Sequence, residues 1–366
     1  MGVARVQCAP LHFSIGRFGM KLFDCPHCGQ RHYFENAQCL ACGSGVLFDP
    51  QKPGFILAAG ENVFQCVNAT ECDCNWVGEP GHPFCRACTL NKTIPDMSII
   101  GNRERWTRVE AAKKRAIYSL LGFGLPVGPK QGPDDEVGLA FDFLASAPSE
   151  HVMTGHDNGL ITLNVAEADS AEREKLRAEL GENYRTLLGH FRHELGHYYW
   201  DRLIRDDPDR LAAFRSFFGD ETADYDEALR NYYSSPSPPD WQQNHISAYA
   251  ASHPWEDWAE TWAHYLHITD TLEMVESLNL KLGRLETVDP NLLQQADTGG
   301  SGQVGETGRK ADFATVLERW LVLSEASNSI NRCMGLPDLY PFVISVPVSE
   351  KLRFVHELLD PRRGAH

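Results

Sequence analysis

His193, Glu194 and His197 form a His-Glu-x-x-His pattern inside the stretch GHFRHELGHYYWDR, Gly189 to Arg202. On an α-helix residues i and i+4 share a face, so two imidazoles at this spacing can reach one metal ion. Glu194 would then stand beside an open coordination position, placed to take a proton from water. The ordinary alternative is a helix with partly exposed histidines, because so short a pattern can arise by chance. A third ligand would decide between them.

The stretch HPWEDWAETWAHYLH, His253 to His267, offers that ligand. Trp255, Trp258 and Trp262 follow helical spacing and are expected to pack into the core. Glu256, Glu260 and His264 recur every four residues on another face. Two carboxylates on the inner side of a buried helix are costly unless partnered, and a cation would partner them. Glu256 as the ligand, with Glu260 hydrogen-bonded behind a ligand histidine, gives both acids a task. The reverse assignment is weaker and stays open. His253, His264 and His267 are reserve ligands. His190, three residues before His193, is expected on the helix surface or at a subsite.

A second chemistry lies upstream. Ten of the eleven cysteines precede residue 89, and only Cys333 follows. Such crowding points to thiolate–metal sites rather than disulfides. Cys25-x2-Cys28 and Cys39-x2-Cys42 are two matched knuckles, which complete one tetrahedral four-cysteine zinc site. The glycines after Cys28 and Cys42 suit the tight turns, since glycine accepts positive φ. A thioredoxin-like redox pair would need one CxxC in a βαβ unit, and neither condition is met. Cys85-x2-Cys88 anchors a second site, with Cys66 and Cys74 as the favoured partners and Cys72 able to replace either. Closed four-thiolate zinc stabilises small folds and leaves no position for catalysis, although zinc ribbons also serve as docking surfaces. Cys8 is expected to be a free thiol, and Cys333 a buried small residue.

Helices and strands must position these groups. A helix is expected from Arg103 to Leu121, with Lys113, Lys114 and Arg115 on its solvent side. LAFDFLA and GLITLNVA read as strands, with a turn at His156–Gly159. Asp169 to Glu179 reads as a capped helix, and the motif helix as Asn183 to Arg205, ending before Pro208. SSPSPPD is a turn-rich break, and segment 287–311 is expected to be flexible. The 366 residues allow one large domain and a small one. Composition is that of an ordinary globular protein, 42% hydrophobic and 23% charged, with no run long enough to span a membrane. No signal peptide or myristoylation pattern is read at the N-terminus, so a cytoplasmic location is expected. A formal net charge of −16 argues against nucleic acid as a partner.

The motif at His193–His197 together with SAYAASHPWEDWAE resembles the gluzincin metallopeptidases, particularly the lethal-factor-like branch. Nearly the full length, including CNW, FFGDETADYDEAL and MGLPDLYPF, is similar to a bacterial family of uncharacterised zinc-binding metallopeptidases with an N-terminal zinc-ribbon region. The resemblance implies that Glu256 is a zinc ligand followed by the acid Glu260, and that Tyr249 stabilises the oxyanion. It matches ribbon cysteines at Cys66, Cys74, Cys85 and Cys88, with Cys72 extra.

The expectation is therefore an α+β protein, with a mainly helical zincin-like domain (99–366) that carries a small sheet and follows a two-site zinc-ribbon module (1–98). It would hold one catalytic and two structural Zn2+ ions and hydrolyse peptide bonds, with Glu194 as general base. The substrate would be a peptide or protein, its extended chain paired with a sheet edge formed by GLITLNVA by analogy with gluzincins, and the ribbons could dock it. Two other readings carry weight: a ribbon scaffold whose peptidase domain is vestigial, and a zinc hydrolase of a non-peptide amide.

Overall fold

The computed structural model describes residues 22–360, apart from 133, 146–151, 153, 171–172, 174–185, 236–237, 282 and 284–310. Cys8, most of the expected helix Asp169–Glu179 and segment 287–310 fall outside these residues.

Two small hairpins build the N-terminal part. Strand β1 (Phe23–Asp24) pairs antiparallel with β2 (Arg31–His32), and β3 (Val46–Asp49) with β4 (Gly54–Leu57). Elements this short bury little backbone, so aromatic packing must help to hold them. Phe48 is central: its ring centroid lies 5.0 Å from Phe34, 5.3 Å from Trp76 and 5.4 Å from Tyr118. The two glycine turns are near copies. Gly29 N donates to Cys25 O at 2.9 Å and Gly43 N to Cys39 O at 2.8 Å, with φ of 73° and 74°. Helix α1 (Ala69–Cys72) follows.

Strand β5 (Asn91–Thr93) leaves the ribbon region and joins a third, four-stranded sheet with β6 (Ala140–Leu144), β7 (Gly155–Asp157) and β8 (Leu160–Asn164). Its order is β5-β6-β8-β7, and β7–β8 is the antiparallel pair. β6 and β8 match the two strands expected, but His156 and Asp157 belong to a third. Asn158 (φ 45°) and Gly159 (φ 78°) alone make the hairpin turn. A Cβ at Gly159 would sit 2.3 Å from Gly138 O, so only glycine fits. The expectation that GLITLNVA forms the free edge is overturned. Its apolar side chains make β8 an interior strand, and among the described residues the short polar β7 takes the edge.

Helix α2 (Asn102–Gly122) buries Trp106, Tyr118 and Leu120, and Tyr118 packs on the ribbon aromatics Phe23, Phe34 and Phe48. Lys113 and Lys114, expected in solvent, are buried too. Glu110, one turn earlier, explains this: Lys113 Nζ lies 2.7 Å and Lys114 Nζ 3.9 Å from its carboxylate. Lys113 also stands over the Phe141 and Phe143 rings, 5.5 and 5.4 Å from their centroids. Arg115 stays nearer solvent and pairs with Glu35.

The helical layer comprises α3 (Leu187–Leu203), α4 (Pro208–Phe218), α5 (Tyr225–Ser234), α6 (Pro254–Ser277), α7 (Phe313–Cys333) and α8 (Val346–Leu359). Thr186 caps α3, its hydroxyl accepting from Gly189 N at 2.9 Å. Pro208 opens α4 at N1 behind the Asp207 cap. Cys333, expected to be buried, ends α7 in an exposed position because the turn at Gly335 faces outward. No helix among the described residues is long and apolar enough to cross a membrane.

Candidate metal centre

The site is made where α3 and α6 cross. Gly196 lets them approach: a Cβ there would lie 3.0 Å from Ala259 Cα and 3.2 Å from Trp262 Cδ1. Trp258 Nε1 donates to Gly196 O at 2.8 Å and fixes the register. His253 caps α6, accepting from Trp255 N at 3.1 Å. Trp258 and Trp262 are fully buried as expected, whereas Trp255 is only half-buried. Its ring instead forms a wall of the site, 4.1 Å from the His197 ring. First-turn position explains the difference, since α6 is still entering the core there.

His193 Nε2 and His197 Nε2 face each other at 3.2 Å. Glu256 reaches both, with Oε2 3.0 Å from His193 Nε2 and Oε1 3.4 Å from His197 Nε2. Ligands about 2.0–2.2 Å from a tetrahedral ion are roughly 3.3 Å apart, so these three side chains fit zinc. The donor set is also that of a zinc site with an open position. Charge agrees, because Glu194, Glu256 and Glu260 crowd into one poorly solvated pocket.

Glu260 stands behind His193, whose Nδ1–H donates to Oε1 at 2.7 Å. Its other oxygen accepts from Ser247 Oγ at 2.7 Å. Burial alone would lower the His193 pKa, but Glu256 and Glu260 outweigh it and hold it well above the ordinary range. Burial would raise Glu256, and the two imidazoles outweigh it in turn. For Glu194 burial wins, and its pKa is raised despite the neighbouring histidines. Tyr249 opens the 3₁₀ turn Tyr249–Ala251 just before α6, its ring centroid 5.9 Å from that of His193.

Tyr225, at the start of α5, was not singled out from the sequence. Its hydroxyl donates to Glu256 Oε1 at 2.6 Å. It lies within FFGDETADYDEAL, but nothing in that stretch marks one aromatic ring as pointing thirty residues ahead. The reserve histidines are occupied elsewhere. His253 donates to Ala223 O at 3.1 Å, His264 Nδ1 is 2.9 Å from Tyr340 Oη, and His267 stacks on Tyr340. His190 pairs with Glu167 at 2.5 Å. A cleft of about 620 Å³ opens beside the site, lined by His156, Trp255, Asp201 and Arg205 among others.

Both cysteine groups converge. Cys25–Cys42 and Cys28–Cys39 sulfurs are 3.8 and 3.6 Å apart, and Cys74 Sγ lies 3.6 Å from Cys85 and 3.7 Å from Cys88. Disulfide sulfurs would be about 2.05 Å apart, whereas four thiolates on zinc are roughly 3.8 Å apart. Cys66 completes the second group and Cys72 stays outside it. Burial pushes the Cys72 thiol far up, so it stays protonated.

Comparison with known proteins agrees with this layout. Residues 102–358 match the family described as "Putative zinc-binding metallo-peptidase", and residues 22–99 match a zinc-ribbon domain. Uncharacterized proteins of Mycobacterium bovis and Mycobacterium tuberculosis are each 43% identical over 345 residues, 93% of this chain and 96% of theirs. No solved structure matches.

Proposed function

The chain belongs to this zinc-binding metallo-peptidase family, and from that premise we propose that it hydrolyses peptide bonds with Glu194 as general base. His193, His197 and Glu256 would hold Zn2+. Zinc, when bound there, supplies Lewis acidity that polarises a carbonyl and makes water acidic near neutral pH. Glu194 takes a proton from the attacking water as its oxygen bonds to the scissile carbon. The same carboxyl group hands that proton to the departing amine as the C–N bond breaks. Tyr249 donates to the oxyanion that develops in between. Glu260 and Ser247 hold the His193 ring still. The partly apolar setting that raises Glu194 also strengthens it as a proton acceptor.

An extended peptide would pair with β7, the edge strand among the described residues, which carries His156 beside His197. Two four-thiolate zinc ions would be structural, and the ribbons they stabilise would help dock a protein substrate in the cytoplasm. One observation carries the reading: a two-histidine, one-carboxylate group with a buried glutamate between its histidines and a second carboxylate behind His193. The test is cleavage of a broad peptide library by the purified protein. Activity should vanish with a chelator and return with one equivalent of zinc. Failure to cleave any peptide with zinc confirmed at the site would favour the scaffold reading.

A further inference from the structure

Glu256 has two oxygens with different surroundings. Oε2 faces His193 Nε2 at 3.0 Å, while Oε1 accepts from the Tyr225 hydroxyl at 2.6 Å. A short phenol–carboxylate hydrogen bond of this kind is charge-assisted and directional. It is the shortest contact of Oε1, which also lies 3.4 Å from His197 Nε2, and it adds a fixed anchor to the torsion of the last side-chain bond.

Tyr225 is itself held. Its ring packs edge-to-face on His253 at 5.2 Å and on Trp255 at 6.0 Å. His253 ties the two segments together, capping α6 while donating to Ala223 O just before α5. The start of α5 is thereby locked to the first turn of α6, which carries Glu256.

We propose that Tyr225 is a positioning residue for the metal centre, holding Glu256 Oε1 so that the carboxylate presents Oε2 as a single ligand atom. This rests on the zinc-site reading above. It gives the two tyrosines near the site separate tasks: Tyr225 orients a ligand, and Tyr249 meets the substrate. Hydrogen-bonded partners of metal ligands typically contribute 10–100-fold in metal affinity, and Tyr225 belongs to that group.

The experiment is a chelator-competed zinc titration of full-length wild type, Tyr225→Phe and Tyr249→Phe, repeated with Co2+ to read coordination from its visible spectrum. Phenylalanine keeps the ring packing on His253 and Trp255, so the fold should survive, as checked by circular dichroism. Tyr225→Phe should weaken the catalytic-site metal by about 10–100-fold and change the cobalt spectrum, leaving the ribbon zinc untouched. Tyr249→Phe, whose hydroxyl meets Tyr225 but has no hydrogen bond to Glu256, should weaken the catalytic-site metal clearly less than Tyr225→Phe does. Equal affinity and spectrum in Tyr225→Phe and wild type overturns the proposal, as does equal weakening in both variants. An unfolded Tyr225→Phe overturns it too, by making the residue structural. If wild type binds only ribbon zinc, the underlying metal-site reading has failed, and this proposal with it.

Discussion

Glu260 accepts from His193 Nδ1 at 2.7 Å, and this fixes which nitrogen of that ring faces Glu256 and His197. Ser247, 13 residues earlier, donates to the other Glu260 oxygen. The two glutamates four residues apart therefore have different tasks, one among the donors and one behind them. Glu256→Ala should abolish tight zinc binding at this site. Glu260→Ala should weaken it by roughly 10–100-fold. Chelator competition on the two variants checks the ranking, and the reverse order would exchange their roles.

The glycine inside the motif makes a separate prediction. Alanine is the better helix former by about 1 kcal/mol. At Gly196, however, its Cβ would meet the Ala259 backbone at 3.0 Å and the buried Trp262 ring at 3.2 Å, and neither can withdraw. Overpacking costs about 1–3 kcal/mol, so it should outweigh the propensity gain. Gly196→Ala should lower stability in urea unfolding and loosen zinc, because α3 and α6 would be pushed apart.

Glu110 is a third case. Its carboxylate is fully buried with Lys113 at 2.7 Å, Asn91 Nδ2 at 2.8 Å and Lys114 at 3.9 Å. Glu110→Ala leaves the buried Lys113 ammonium without its ion-pair partner, while Lys114 keeps the Cys74 and Cys88 thiolates nearby, and breaking this buried pair should cost about 3–5 kcal/mol. The half-exposed Glu71–Arg103 pair at 2.8 Å is a suitable control. Glu71→Ala should cost no more than about 1 kcal/mol. Similar losses in both, measured by denaturant titration, would contradict the burial argument.

These cases separate what residue spacing discloses from what it conceals. The i, i+4 repeat of a helix makes His193/His197 and Glu256/Glu260 legible, and CxxC spacing does the same for the ribbons. Lys113 and Lys114 were misplaced because charge alone suggests solvent. Their burial depends on aromatic rings from β6 and on Glu110 one turn back. The edge strand β7 was hidden because Gly155–Asp157 is too short and polar to show alternation. Tyr225 was hidden for a different reason, since its partner is 31 residues away and on another helix. Periodicity describes one element at a time, whereas such contacts arise between elements.

Metal content follows from the three converging donor groups. Elemental analysis should find three zinc ions per chain. Cys25→Ala or Cys85→Ala should each remove one and destabilise the N-terminal part, where metal binding and folding are coupled. A single ion in the wild-type protein would contradict the two-ribbon assignment.

The last prediction concerns proton transfer against charge stabilisation. Glu194 lies outside the donor group of His193, His197 and Glu256, so Glu194→Gln should keep zinc and fold. An amide cannot accept the water's proton, and kcat should fall by about 10²–10⁴-fold. Tyr249→Phe removes only one donor to the developing oxyanion. It should lower kcat by roughly 10²–10³-fold with KM little changed, since the phenol acts chiefly in the transition state. Steady-state kinetics on a peptide found in the library screen would measure both, and Glu194→Gln should retain that peptide uncleaved. If Glu194→Gln instead turns over at the wild-type rate, another group is the base and the proposed route of the proton is wrong.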